Sequence, residues 1–148
     1  MNRFTSTVLI GIQAATALKI VTLSDPHMMP QYDPYNGSNG FCWDDSGAEP
    51  LEYPAFFGQV GCDPPVELVR IMLDKFSTEH PDADVMLLTG DIVAHAVALE
   101  PPPKSPYSHA SYGDVLGILA NFANLLHEYF PNTVILPTQG NNDDKYHY

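Results

Sequence analysis

The stretch Asp84-Val85-Met86-Leu87-Leu88-Thr89-Gly90-Asp91 decides the fold of this chain. Its apolar run has the length and content of a buried strand, which predicts that both faces of the surrounding sheet are covered. The run ends in Gly90-Asp91, so a carboxylate follows directly on the strand. Open α/β sheets bind their ligands at the carboxyl ends of their strands, which makes Asp91 the first candidate site residue.

Two other runs lead into polar side chains in the same way. Lys19–Ser24 precedes Asp25-Pro26-His27, and Thr133–Thr138 precedes Gly140-Asn141-Asn142-Asp143. The carboxyl ends of parallel strands meet at one edge of a sheet, so the three polar segments are expected to form a single site.

Two helical patterns separate the three strands. The first runs from Pro64-Pro65 to Glu79, with apolar residues at helical spacing: Leu68, Ile71, Met72 and Phe76. The second runs from Tyr112 to Tyr129 and has two apolar stripes, which predicts a well-buried helix. Its stripes are Leu116, Leu119, Ala123 and Leu126, and Val115, Ile118, Phe122 and Leu125. The order strand, long loop, helix, strand, helix, strand predicts an α/β fold with parallel strands.

The charge of the chain restricts its partners. There are 18 acidic and 6 basic residues among 148, which gives a formal net charge of −12. A nucleic-acid duplex or an anionic membrane surface calls for Lys/Arg patches, so neither is expected as the main partner. No stretch approaches the roughly 20 apolar residues of a membrane-spanning helix, so no transmembrane segment is predicted. The hydrophobic content of 45% is typical of a globular domain.

The first residues resemble a targeting segment. One positive charge at Arg3 is followed by a mostly apolar stretch and by the small-residue pattern Ala15-Thr16-Ala17. This pattern predicts a signal peptide over residues 1–17 and a secreted chain that begins at residue 18. The alternative is that Val8–Ile12 belongs to the region of the first strand.

A long loop, about Pro26 to Pro65, follows the first strand and is rich in Pro, Gly, Asn and Asp. It contains both cysteines, Cys42 and Cys62, and in a secreted chain such a pair indicates a disulfide. The triplet Asn36-Gly37-Ser38 is an N-glycosylation sequon. The three signals of secretion agree with one another.

The polar segments carry donors that suit a metal. Asp25 and His27 alternate on what is expected to be an extended segment, so they point the same way. An oxygen with an imidazole favours Zn, Fe or Mn over Ca or Mg. Asp91 could bridge two cations, and the amide oxygen of Asn141 suits the second. Two such cations can clamp a phosphoryl oxygen and generate a hydroxide for attack. Each residue by itself is as well explained as a turn or cap residue.

These segments resemble a known family. Asp25-x-His27, Gly90-Asp91 followed by His95, and Gly140-Asn141-Asn142-Asp143 resemble the first three signature blocks of the calcineurin-like metallophosphoesterases. Phe57–Pro65 with Cys42 upstream, and likewise Thr89–His95, resemble segments peculiar to acid sphingomyelinase and the acid sphingomyelinase-like phosphodiesterases. The resemblance covers about Lys19 to Asp143. It implies the metallophosphoesterase αββα sandwich, with residues 18–148 as the N-terminal part of that domain.

The resemblance implies a role for each matched residue. It implies two divalent metal ions, zinc above all, with these ligands: Asp25 and His27 for the first, Asp91 for both, and Asn141 for the second. It places His95 beside the substrate phosphate as the group that protonates the leaving group. It also implies a Cys42–Cys62 disulfide. The implied activity is that of a secreted or lysosomal glycoprotein that hydrolyses phosphodiester or phosphoanhydride bonds in a sphingomyelin-like lipid or a nucleotide.

Two departures from the family pattern leave a second interpretation open. Asn142 occupies a position where the family has a catalytic histidine, and an amide cannot act as a general acid, so His95 is expected to be the remaining acid. The chain also ends at Tyr148, before the blocks that carry the family's remaining ligands. We therefore expect a truncated domain whose isolated chain is weakly active or inactive. The alternative is a catalytically degenerate member that serves as a binding or assembly module.

Overall fold

The structure is a computed structural model and describes residues 17–35, 50–95 and 112–144. Its elements are β1 (Ile20–Leu23), α1 (Val66–Glu79), β2 (Val85–Leu88), α2 (Tyr112–Tyr129) and β3 (Val134–Pro137), followed by one turn of 3-10 helix (Asn141–Asp143). The predicted order of elements is confirmed. α1 begins directly after Pro65, whose fixed φ suits the start of a helix.

The three strands form one parallel sheet in the order β1-β2-β3. Leu23 is paired with Leu88, and Leu88 with Pro137, so the strands end level with one another. The loops that carry the candidate ligands therefore leave the sheet at the same edge. This confirms the parallel α/β arrangement predicted from the sequence.

One face of the sheet packs against the two helices. The core combines strand and helix residues that are at most 9% exposed, among them Leu23, Met86, Leu88, Leu73, Val115, Ile118 and Phe122. On the opposite face, no described residues form a layer that covers the sheet. Ile20, Leu87, Val134 and Leu136 are exposed there, although all four are apolar. The prediction that both faces are covered is therefore wrong for the described part of the chain.

The helix faces differ in part from the predicted stripes. In α1 the fully buried residues are Val69 and Leu73, whereas Leu68 and Ile71 are 39% and 49% exposed. The α2 stripe formed by Val115, Ile118, Phe122 and Leu125 is buried as predicted. The other stripe is buried only in part, because Leu126 is 3% exposed but Leu116 is 50% exposed. Leu119 also packs against the core, so this stripe turns from the buried side of α2 toward the exposed side at Leu116.

Several sequence predictions fall on residues outside the described ranges. They are the signal peptide, all but the last residue of which lies outside, the glycosylation site at Asn36 and the Cys42 end of the predicted disulfide. These remain predictions. Neither α1 nor α2, the helices of the described part, is long and apolar enough to cross a membrane.

Candidate metal centre

The loops after β1 and β2 stay paired beyond the ends of their strands. The backbone N–H of Asp25 donates to the carbonyl of Gly90 at 3.2 Å, and that of His27 donates to the carbonyl of Asp91 at 3.0 Å. Met28 continues the pairing, because its N–H donates to the carbonyl of Ile92 at 2.7 Å. These bonds hold the two ligand-bearing loops side by side at the edge of the sheet.

The backbone is strained at the candidate ligands. Asp25, His27 and Asp91 have φ of +51°, +37° and +52°, and they are the non-glycine residues of positive φ in the described ranges. The left-handed region costs such residues about 1–3 kcal/mol each, and these outliers cluster at functional sites. The prediction of an extended segment through Asp25 and His27 is therefore wrong, although the two side chains do converge.

Asp25, His27 and Asp91 come together in space. One ligand atom from each lies within 4.8 Å of those of the other two. The Nδ1 atom of His27 lies 3.2 Å from the carbonyl oxygen of Val93. Because a carbonyl accepts, Nδ1 donates this hydrogen bond and Nε2 is left as the ligating nitrogen, as in many metal-bound histidines. Two carboxylates and an oriented imidazole fit a divalent cation such as zinc.

The third strand brings an amide to the same place. The backbone N–H of Asn142 donates to Asp91 Oδ1 at 2.9 Å, and its side-chain Nδ2 lies 3.3 Å from the same oxygen. Asn142 is 2% exposed, and its Oδ1 atom is buried without a hydrogen-bond partner. Asn141 is half-buried in the same turn. The turn that carries both asparagines therefore lies directly against Asp91.

Asp143 locks this turn onto the loop after β2. Its Oδ1 atom accepts the N–H groups of Ile92 at 2.8 Å and Val93 at 3.0 Å, and Oδ2 accepts the N–H of Gly140 at 2.9 Å. The residue is 2% exposed, so a buried carboxylate is compensated by three backbone donors. Asp143 belongs to the motif Gly140-Asn141-Asn142-Asp143, but no pattern in the sequence indicated this role for it.

His95 lies next to the cluster. Its ring stacks on that of His27, with centroids 4.2 Å apart and planes 17° from parallel. Its Nδ1 atom lies 2.9 Å from Oδ1 of Asp63, and its backbone N–H donates to Oδ2 of Asp63 at 2.7 Å. Sequence reasoning missed Asp63. The available signal was its position next to Cys62, inside the segment Phe57–Pro65 that carries the family resemblance.

Comparison with known proteins finds similarity to acid sphingomyelinase-like phosphodiesterases. The cyclic GMP-AMP phosphodiesterase SMPDL3A of Bos taurus is 30% identical over 121 residues, which is 82% of this chain and 25% of that protein. The Rattus norvegicus protein of the same name is 29% identical over the same shares. The acid sphingomyelinase-like phosphodiesterase 3b of Mus musculus is 28% identical over 133 residues, 90% of this chain and 27% of its own length. No protein-family profile matches the chain.

The chain is related to the acid sphingomyelinase-like phosphodiesterases. This confirms the resemblance deduced from the sequence motifs. The chain spans about a quarter of the length of these relatives. These relatives are named as phosphodiesterases.

Proposed function

We propose that this chain provides part of the dinuclear metal site of a phosphodiesterase that hydrolyses phosphodiester or phosphoanhydride bonds. The observation that carries the proposal is the convergence of Asp25, His27 and Asp91 within 4.8 Å. These residues leave two neighbouring strands at one sheet edge, and each has a strained backbone. Strain at three potential ligands of one cluster is difficult to explain by folding alone, because ordinary loop backbone would cost less.

In the proposed site each residue has a task. Asp25 and His27 would hold the first cation, Asp91 both cations, and Asn141 the second. Two bound zinc ions would polarise the phosphoryl oxygens and lower the pKa of a bound water. His95 would give the proton from its ring to the leaving-group oxygen as the phosphorus–oxygen bond breaks, so that the leaving group departs as an alcohol.

The open face of the sheet supports the proposed αββα sandwich. Val134 and Leu136 of the last strand are 57% and 51% exposed, and Ile20 of the first is 53% exposed. Burying apolar surface contributes about 25 cal/mol per Å², so a face of this kind is more stable beneath a further layer. The second layer of the sandwich would cover it.

The chain is proposed to act in a secretory or lysosomal compartment. Support comes from the sequence, which predicts the signal peptide over residues 1–17, the Cys42–Cys62 disulfide and glycosylation at Asn36. One of the relatives is named as a cyclic GMP-AMP phosphodiesterase, and another is named as an acid sphingomyelinase-like phosphodiesterase. We propose a substrate of one of these two kinds, a nucleotide or a phosphodiester lipid, since both present the same phosphodiester group to the metals.

One observation favours a second candidate, a catalytically degenerate member that binds or assembles. Asn142 occupies the position of a family histidine, and its buried side chain lies 3.3 Å from Asp91 instead of providing an imidazole. An amide cannot donate a proton to a leaving group at ordinary pH. In this alternative the metal would stabilise the fold of a binding module.

The test compares the zinc-loaded full-length protein with its Asp91→Asn variant. Zinc content, zinc-dependent thermal stability and hydrolysis of bis(4-nitrophenyl) phosphate at about pH 5 and about pH 7 are measured. Asp74→Asn is the control, because Asp74 is an exposed carboxylate on α1 and its side chain is not part of the cluster. We expect Asp91→Asn to lose zinc and turnover together, since the bridging ligand is removed, while Asp74→Asn keeps both.

Three outcomes are distinguishable. Stoichiometric zinc with turnover supports the phosphodiesterase. Zinc without turnover of any phosphodiester supports the degenerate alternative. A protein that binds no divalent cation and gains no thermal stability from zinc would contradict both proposals.

A further inference from the structure

The Asp63 carboxylate contacts one residue through both of its oxygens. Oδ2 accepts the backbone N–H of His95 at 2.7 Å, and Oδ1 lies 2.9 Å from the ring Nδ1 of His95. A carboxylate can only accept, so Nδ1 of His95 must carry the hydrogen. This fixes the tautomer of the ring, and Nε2 becomes the nitrogen that is available to a ligand or a substrate.

The histidine needs such a restraint. The side chain of His95 is 54% exposed, whereas that of Asp63 is only 16% exposed. An imidazole so open to solvent would sample several rotamers, which would spread Nε2 over several positions. Stacking on the ring of His27 restricts the plane of the ring, and the contact with Asp63 restricts rotation within that plane. Together the two contacts fix a side chain that packing does not hold.

Asp63 is itself placed by bonds to the loop that carries the metal ligands. The carbonyl of Pro64 accepts the backbone N–H of Met29 at 2.8 Å, and Pro65 forms a parallel bridge with Met29. Met29 is 1% exposed and lies two residues after His27. Asp63 and the ligand loop therefore belong to one rigid unit, which is what a positioning group requires.

A second bond ties the same two segments together. The hydroxyl of Tyr32 donates to the carbonyl of Ala55 at 2.7 Å. Burial, with a smaller contribution from the charge of Asp33, raises the pKa of the Tyr32 phenol. The hydroxyl therefore stays protonated and keeps donating across the pH range of a lysosome or of the extracellular space.

We propose that Asp63 is a positioning residue for His95, which holds the imidazole through Nδ1 so that Nε2 faces the leaving-group oxygen. The inference rests on the proposed phosphodiesterase function, in which the acid is the imidazolium form of His95, with hydrogen on both ring nitrogens. The phosphorus–oxygen bond breaks, the leaving oxygen takes the proton from Nε2, the ring is left neutral with its hydrogen on Nδ1, and the attacking water supplies the oxygen of the new phosphorus–oxygen bond. Asp63 takes no part in that transfer. It fixes the position of the His95 ring, which donates the proton.

Another role for Asp63 has to be separated from this one. His27, Asp63 and His95 also have potential ligand atoms within 4.8 Å of one another, so Asp63 could in principle bind a cation. The structure favours positioning, because the two oxygens of Asp63 are already engaged by the N–H and the ring of His95. A cation ligand would have to give up at least one of these bonds.

The first test needs no activity. Two-dimensional ¹⁵N spectra of the histidine rings report which nitrogen of His95 carries hydrogen. They are recorded on the full-length protein with and without zinc. In the neutral ring we expect the Nδ1–H form in the wild type. In Asp63→Asn we expect a mixture of tautomers, because the amide can either accept a hydrogen bond from Nδ1–H or donate one to a bare Nδ1. A wild-type His95 that carries hydrogen mainly on Nε2 contradicts the proposal, whatever the protein hydrolyses.

The second test uses two substrates of the zinc-loaded protein. The leaving group of a 4-nitrophenyl phosphodiester departs as an anion without taking a proton. The leaving group of an alkyl phosphodiester has to be protonated as it departs. In Asp63→Asn we expect kcat for the alkyl ester to fall about 10- to 100-fold, with KM and zinc content unchanged. The nitrophenyl ester should change by no more than about 3-fold, and Asp74→Asn should match the wild type for both.

Each other outcome has a distinct meaning. Loss of zinc in Asp63→Asn shows a metal ligand, and an equal fall for both esters with zinc retained shows a purely structural residue; either result overturns the proposal. Unchanged kinetics overturn it as well. A wild-type protein that hydrolyses neither ester refutes the proposed function, and the ring tautomer then decides by itself whether Asp63 positions His95.

Discussion

Gly90 and Gly140 approach each other so closely that neither can carry a side chain. A Cβ atom on Gly90 would lie 2.3 Å from the backbone nitrogen of Gly140, and one on Gly140 would lie 2.3 Å from the backbone nitrogen of Asp91. This contact brings the loop after β3 against the loop after β2 at the residue proposed to bridge the metals. The glycines are there because only bare backbone fits between the two loops.

Gly90→Ala is predicted to abolish this contact. The new methyl group would overlap backbone atoms, which cannot rotate away, and Gly90 has φ of +94°, a conformation that L-residues rarely adopt. We expect a loss of about 4 kcal/mol or more in the free energy of unfolding. Denaturant unfolding of the purified protein measures it.

Gly61→Ala separates the cost of the steric overlap from the cost of the positive φ. Gly61 has nearly the same φ, +91°, but a Cβ atom there would meet nothing within 4 Å. It should therefore lose only the backbone strain, about 1–2 kcal/mol. Equal losses in the two variants would show that the close approach of Gly90 to Gly140 contributes nothing.

Asp143→Ala is predicted to be severely destabilising, whereas the same change at the adjacent Asn142 is mild. Both residues are 2% exposed. Removing the Asp143 carboxylate leaves three backbone N–H groups without their acceptor, at a cost of about 3 kcal/mol or more. Asn142 has one long contact to Asp91 and a buried oxygen with no partner, so Asn142→Ala should cost about 1 kcal/mol or less.

Thermal and denaturant unfolding of the two variants provide the comparison. The zinc content of Asp143→Ala should fall as well, because Asp143 fixes the turn that presents Asn141. If Asn142→Ala proves the more costly change, the side-chain amide makes a contribution that its contacts do not account for.

Leu73→Ala should destabilise the protein far more than Leu68→Ala. Leu73 is 0% exposed in the core beneath the sheet, so its truncation leaves a cavity and should cost about 2–5 kcal/mol. Leu68 is 39% exposed and should cost about 1 kcal/mol or less. The free energy of unfolding of the two variants tests which face of α1 is buried. Comparable losses would mean that Leu68 packs against a layer outside the described residues.

The helices and strands were predictable because the sequence patterns that indicate them are local. The bounds of α2 follow from its apolar spacing and from Pro131 after its end, and the strands follow from short apolar runs. The exposed side of α1 was not predictable, because Leu68 and Val69 are equally apolar and only the position of the sheet decides which is buried. In the same way, the apolar Leu87 gave no indication that its side of the sheet is uncovered in the described part of the chain.

The sequence by itself determined the types of donor and their order: an aspartate and a histidine after one strand, an aspartate after the next, and two asparagines after the third. The tertiary structure decided how they meet. Level parallel strands, a contact between two glycines and the buried Asp143 bring distant loops together, and the backbone of Asp25, His27 and Asp91 is strained in the process. The pairing of Asp63 with His95 spans 32 residues of sequence. No local pattern encodes it, because the segment of Asp63 is placed by its bonds to Met29 in the loop after β1.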